Sequence, residues 1–321
     1  MVISSSSSSE KRQHPPIREA APLLRGAAAR GHLESLSVRF RTTGGADFDP
    51  VGLVRPYRDP RDQEVAGLLA ALLAYGRVAS IQGAVGRVLA ELGASPSVAL
   101  RAARHREARF APGFRYRWTT REDLVGLLEA MAAMQERDGS LGQGLRRRVE
   151  ESSGDFLLGL GRWMEDLRAT AAGSRRPGRS LRFLLPDPQG PGACKRLHLY
   201  LRWMIRPDDG IDLGTWSGML SSSALIVPLD THWTRMGPRL GFTRRAIADR
   251  KMAAEITASL RAIDPIDPLR FDFPICHVGI RGHCPAALSV THCMACPLAP
   301  VCATGSRRIA KRLARTRFAS G

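Results

Sequence analysis

Four of the six cysteines, Cys284, Cys293, Cys296 and Cys302, fall within nineteen residues as C-x8-C-x2-C-x5-C. Pro285, Pro297 and Pro300 interrupt this segment, so neither one regular helix nor a central strand can carry it. The chain must therefore bring an irregular loop to a point where four thiols can converge. Disulfides fit poorly, because no secretory signal is evident and the chain is not a small stapled domain. A four-cysteine zinc site fits the Cys293-x2-Cys296 knuckle, but zinc sites usually pair two such knuckles. A [4Fe–4S] cluster accommodates the asymmetric 8-2-5 spacing better, with zinc, or no metal, as the alternatives. Cys194 and Cys276 are left over and are expected to behave as small buried hydrophobes.

The chain of 321 residues carries 48 Lys and Arg against 30 Asp and Glu, a net charge of +18. That balance favours a polyanion as partner, nucleic acid first and an anionic membrane surface second. The 44% hydrophobic content is enough for a folded interior. No stretch approaches 18 uncharged apolar residues, so no membrane-spanning helix is expected. Residues 1–31, Ser-rich and then Ala/Arg-rich, have no signal-peptide core and are expected as a disordered basic tail. The last residues, 304–321, read as a second basic tail, either a nucleic-acid-binding extension or a frayed helix end. Cytoplasmic, nucleoid-associated localisation and a monomer without an obligate protein partner are expected.

Helix signals dominate between the ends. Asp59-Pro60 supplies an N-cap with Pro at the first helical position, and Val65, Leu68, Leu69, Leu72 and Leu73 follow a buried helix face. Ile81, Val85, Val88, Leu89 and Leu92 mark a second helix that Gly93 stops. Thr120 and Asp123 form a capping-box pattern ahead of Leu124, Leu127, Leu128 and Met131. Further helices are expected over Phe156–Leu167, Leu197–Ile205 and Ile247–Ile263, with a Gly/Pro/Arg-rich loop at 173–192. Arg109–Trp118 alternates aromatic and basic residues, which suits base stacking but more often marks a core-packing segment with solvated arginines. The fold class is all-α.

Upstream of the cysteines, the apolar run Leu225–Leu229 delivers Asp230-Thr231-His232-Trp233, followed by Arg235 and Arg239-Leu240-Gly241. In isolation Asp230 reads as a helix N-cap. Together with the cysteine segment, however, the string resembles the "V-D-T-H…R…R-L-G" of the helix-hairpin-helix DNA glycosylases, in the endonuclease III and adenine-mismatch branch. That cysteine loop shares the x2 and x5 intervals but has six residues in the first gap where this chain has eight. The longer gap, Pro285–His292, also lacks the Lys or Arg with which the family contacts phosphate. The resemblance implies a two-lobed fold with a C-terminal cluster loop. It makes Asp230 the catalytic carboxylate and Cys284, Cys293, Cys296 and Cys302 the cluster ligands.

The family's hairpin has a counterpart in Leu185-Pro186…Gly190-Pro191-Gly192-Ala193-Cys194-Lys195-Arg196. A Gly-x-Gly turn before a helix can bind phosphate through backbone amides. Lys195 sits three residues after the second Gly, one later than the Schiff-base Lys of bifunctional members, and an insertion over 206–223 lengthens the gap to Asp230. The resemblance implies Gly190, Gly192, Lys195, Arg196 and Arg235 as DNA contacts, Tyr75 or Arg77 near the position that fills a flipped base's space, and Lys195 as a second catalytic candidate. The chain from Phe48 to Cys302 also resembles an uncharacterised bacterial family. The expected organisation is a glycosylase-like domain over 32–303. Residues 62–216 form a helical barrel lobe, and 32–61 with 217–303 form a second lobe bearing the loop 284–302. The expected activity is monofunctional hydrolysis of the N-glycosidic bond of a damaged or mispaired base in double-stranded DNA, with lyase chemistry only if Lys195 is the nucleophile; the rival is a non-catalytic [4Fe–4S] DNA-binding protein.

Overall fold

Asp59 accepts the backbone N–H of Arg61 at 2.7 Å and Pro60 sets the first helical turn, which together open the helix around which one half of the protein is built. The computed structural model describes residues 26–41, 50–103 and 112–319; the Ser-rich start, Arg109 and Phe110 lie outside the described residues. The helices are α1 (Gly26–Arg41), α2 (Pro60–Leu72), α3 (Val78–Leu92), α4 (Pro96–Ala103), α5 (Arg121–Asp138), α6 (Leu141–Glu150) and α7 (Phe156–Ala172). They continue as α8 (Arg179–Leu184), α9 (Lys195–Ile205), α10 (Thr231–Leu240), α11 (Arg250–Arg261), α12 (Asp272–Ile280), α13 (Val290–Ala295) and α14 (Ala303–Ala319). The sole sheet among the described residues is a hairpin of β1 (Arg115–Tyr116) and β2 (Thr119–Thr120). The protein is all-α.

Helix α2 is buried on every side, and at Gly67 it meets α9 so closely that an added Cβ would stand 2.6 Å from Met204 Cε. Its two buried acids are used as caps for other helices. Asp62 accepts Ser97 N at 2.7 Å at the head of α4, and Glu64 accepts Leu141 N at 2.8 Å and Gly142 N at 3.0 Å at the head of α6. Glu64 also takes the Trp216 indole N–H at 2.7 Å, which seats the 206–223 segment in this half of the protein. Burial raises the Glu64 pKa against the pull of these donors. The Thr120–Asp123 capping box starts α5, which packs along α7. At Gly126 the α7 backbone leaves no room for a side chain, because a Cβ would meet Ala171 O at 2.3 Å.

In the other half, α1 packs on α12, and α10 packs on α12 and α14. Helix α1 begins inside the stretch expected as an N-terminal tail, with Leu33, Leu36 and Phe40 buried and Arg30 paired to Asp264 at 3.2 Å. Residues 304–319 of the stretch expected as a C-terminal tail likewise belong to α14, whose Gly305 is buried. Within the expected loop 173–192 the short helix α8 forms. Helix α11 starts at Arg250 under an Asp249 cap, not at Ile247, which is exposed.

His198 on α9 is 4% exposed, and its Nδ1 finds no hydrogen-bond partner among the described residues. Burial alone pushes its pKa down to about 4. The folded imidazole therefore stays neutral where the unfolded one, near 6.5, already binds a proton. Stability is complete above that unfolded value and is lost as pH falls towards 4, by on the order of 3 kcal/mol. Urea unfolding at stepped pH should show this loss and should show it reduced in His198→Leu. An identical slope in the variant would assign the acid sensitivity elsewhere.

Candidate functional site

The run before α10 buries Leu225, Val227, Pro228 and Leu229, and Val227 N donates to Thr257 Oγ1 at 3.0 Å, so the chain reaches Asp230 on a fixed path. Asp230 caps α10, accepting Trp233 N at 2.7 Å. The carboxylate is half-buried, and burial is the main cause that raises its pKa. The Trp233 N–H, Lys195 and His232 pull it down, and Asp272 pushes it up. Lys195, exposed at the first position of α9, therefore lies within electrostatic reach of Asp230.

Behind Asp230 runs a buried chain of charges that the sequence does not announce. The Trp233 indole N–H donates to Asp272 Oδ1 at 2.5 Å, and Arg202 donates to Asp272 Oδ2 at 2.5 Å. Arg202 also pairs with Asp212 at 3.2 Å, and Arg206 pairs with Asp212, with Asp267 at 3.0 Å and with Asp209 at 3.2 Å. Asp212, Asp272, Arg202 and Arg206 are all under 5% exposed. Burial drives the Asp212 carboxyl up to about 6 against the pull of both guanidiniums. Cys276 also belongs here: its thiol lies 3.6 Å from Asp272 Oδ1, and burial, then Asp230 and Asp272, hold its pKa well above the usual thiol value. The sequence signal for this network is limited to the four-residue spacing of Arg202, in the last turn of α9, and Arg206, which ends it.

Helices α8 and α9 flank the turn 185–194, giving a helix–turn–helix outline in which Cys194 adopts a left-handed conformation, φ +43°, and makes no side-chain cap on α9. Arg250 holds the turn from below, donating its backbone N–H to Pro191 O at 2.9 Å and Nε to Gly190 O at 3.0 Å. Gly192 is exposed with open space around it, and neither Gly190 nor Gly192 has positive φ. Arg196 points inward: it donates to Leu72 O and Phe183 O, and its guanidinium lies 5.0 Å from the Tyr75 ring centroid and 4.3 Å from that of Phe183. Tyr75 is equally committed, donating to Tyr116 O at 2.9 Å and bonded to Thr119 Oγ1 at 2.6 Å. Arg77, two residues further on, is exposed at the start of α3.

Helix α10 connects Asp230 to the cysteine segment. Arg235 donates to Cys284 O at 2.9 Å and contacts His232 Nδ1 at 3.0 Å. Arg239 donates to Cys284 Sγ at 3.2 Å and to the carbonyls of Pro285 and Ala286 at 2.6 and 2.8 Å. Gly305 N donates to Cys302 Sγ at 3.2 Å. Burial pushes the Cys296 thiol up to about 12, and Cys302, Cys284 and Cys293 each add to that shift, so the four thiols are electrostatic neighbours. None is in a disulfide. Among the described residues no three His, Cys, Asp or Glu side chains are grouped closely enough to hold a metal ion. Four free thiols thus share one segment, with N–H donors directed at two of the sulfurs, but their side chains are not gathered into a metal-binding group.

Among the described residues no helix is long and apolar enough to cross a membrane. No curated protein and no solved structure matches the chain. A family model described as "Protein of unknown function (DUF2400)" matches residues 49–281. The matched span runs from just before α2 to the end of α12, taking in Lys195, Asp212, Asp230 and Asp272 and stopping short of Cys284. It covers well over half of the sequence, and the chain belongs to that family.

Proposed function

We propose that the protein binds double-stranded DNA and hydrolyses the N-glycosidic bond of a damaged or mispaired base turned out of the duplex. The observation that carries this reading is the Asp230 carboxylate at the head of α10, desolvated, fixed by the Trp233 N–H and within the field of Lys195 at the head of α9. As C1′–N bond cleavage builds positive charge on the sugar, Asp230 stabilises it. The carboxylate then takes a proton from the attacking water as the C1′–O bond forms. The base leaves with one proton, so the balance is addition of one water. Lys195 serves as a phosphate contact beside the site, and the exposed Gly192 turn offers backbone N–H groups to the same strand. Duplexes carrying a panel of base lesions test the reading. Release of a free base from at least one is expected, and release from none under saturating binding would refute the enzymatic assignment.

A second reading, DNA binding without catalysis, is favoured by one observation. Arg196 and Arg235, expected on DNA, direct their guanidiniums to partners inside the protein. The lesion panel separates the two.

Cys284, Cys293, Cys296 and Cys302 would hold a [4Fe–4S] cluster that fixes the loop against Arg235 and Arg239 of α10, a structural role. Anaerobic purification should then give a brown protein with broad visible absorbance, bleached in Cys296→Ser. A colourless wild-type protein carrying one zinc would replace the cluster with the alternative metal.

A further inference from the structure

Trp118 is the one exposed tryptophan. Of the five in the chain, Trp163, Trp203, Trp216 and Trp233 are fully buried, whereas Trp118 is 66% exposed. It sits at the tip of the β1–β2 hairpin, where Tyr116 pairs with Thr119 and the two-residue turn is Arg117–Trp118. Arg117 takes φ +52°, the position of such a turn where glycine is favoured. One turn thus combines an arginine in a left-handed conformation with a solvent-facing indole. The left-handed arginine costs conformational energy, and the exposed indole adds nothing to the core, because Phe114 and Tyr116 already supply buried side chains of the hairpin.

The hairpin is anchored to the elements that carry the proposed site. Arg117 lies over Gly76, where an added Cβ would stand 3.2 Å from its Nη1. The Tyr116 ring packs 4.9 Å from that of Tyr75, which in turn contacts Arg196, the neighbour of Lys195. Strand β2 packs on α8, whose Phe183 is also exposed, at 38%. Arg115 and Arg117 on the same hairpin are exposed, as are Arg77 next to Gly76 and Arg179 and Arg182 on α8. An exposed indole on a hairpin that also presents exposed arginines matches a nucleobase flanked by phosphates.

We infer that Trp118 is a base-stacking residue that inserts at a disrupted step of duplex DNA, with Arg115 and Arg117 on the adjoining phosphates. This rests on the DNA-binding reading above but does not require catalysis. The test titrates the full chain with a short intact duplex and with the same duplex carrying one abasic site, at low and at physiological salt. It reads acrylamide quenching of tryptophan emission and the anisotropy of labelled DNA.

The accessible emission of the free protein belongs to Trp118, so it should disappear in Trp118→Phe. The abasic duplex should shield it from acrylamide more than the intact duplex does. Trp118→Ala should weaken binding to the abasic duplex about tenfold with an unchanged salt slope, because stacking releases no counterions. Arg117→Ala should lower that slope by about one. If the protein binds both duplexes while Trp118 stays as accessible as in the free state, the inference falls and the DNA reading stands. If it binds neither duplex at low salt, both fall.

Discussion

Asp230→Asn is expected to lower base excision at least about 100-fold while leaving duplex affinity within a few-fold of wild type, since general-base and charge-stabilising carboxylates contribute on this scale. The amide keeps an oxygen for the Trp233 N–H, so the α10 cap is largely retained and the loss can be read as chemistry and not unfolding. The active form is the carboxylate, so excision should fall as pH drops through the Asp230 pKa. Burial sets that inflection above the ordinary carboxylate range, with Asp272 adding to it and the Trp233 N–H, Lys195 and His232 opposing it. Single-turnover excision on the most responsive lesion, run for both proteins across pH, measures both effects. Equal rates in wild type and variant would remove Asp230 from the mechanism.

Asp212→Ala should destabilise the protein by about 3–5 kcal/mol, the scale for removing one partner of a buried ion pair. Asp212 is fully buried and receives both Arg202 and Arg206; without it two guanidiniums remain in the interior with fewer acceptors. Against a total stability of about 5–15 kcal/mol for a typical protein this is a large share. Urea unfolding followed by circular dichroism should place the midpoint far below that of wild type with little change in slope. A loss under about 1 kcal/mol would mean that the arginines reach water or other acceptors. Because Arg202 also holds Asp272, which faces Asp230, the variant should shift the acid limb of any excision profile as well.

What could be read from the sequence was local. The Asp59-Pro60 start, the Thr120–Asp123 box and the Asp230 cap depend on residues two or three apart, and each is found where expected. The remainder depends on partners far along the chain. Asp62 and Glu64 read as charged helix positions bound for solvent, yet both are buried because α4 and α6 turn backbone N–H groups of their first turns to them. Asp272 lies 42 residues after Asp230, and the packing of α12 on α10 brings it to Trp233, where it also meets Arg202 of α9. The Arg109–Trp118 alternation concealed two environments: Phe114 and Tyr116 point inward, and the turn leaves Trp118 in solvent. Tyr75 and Arg196, expected on DNA, instead bind one another and the hairpin, a use of aromatic and guanidinium groups that composition cannot distinguish from a DNA contact.

The Glu64 carboxylate has a consequence for how the chain is made. It lies 77 residues before Leu141 and 152 residues before Trp216, and it accepts donors from both. During synthesis α2 leaves the ribosome long before either partner exists, and its acid must stay in water until the 206–223 segment has emerged. Helix α2 therefore cannot take its final buried place early. The first half of the protein should close in one late, cooperative event set by these distant contacts, slower than its helix content alone would suggest.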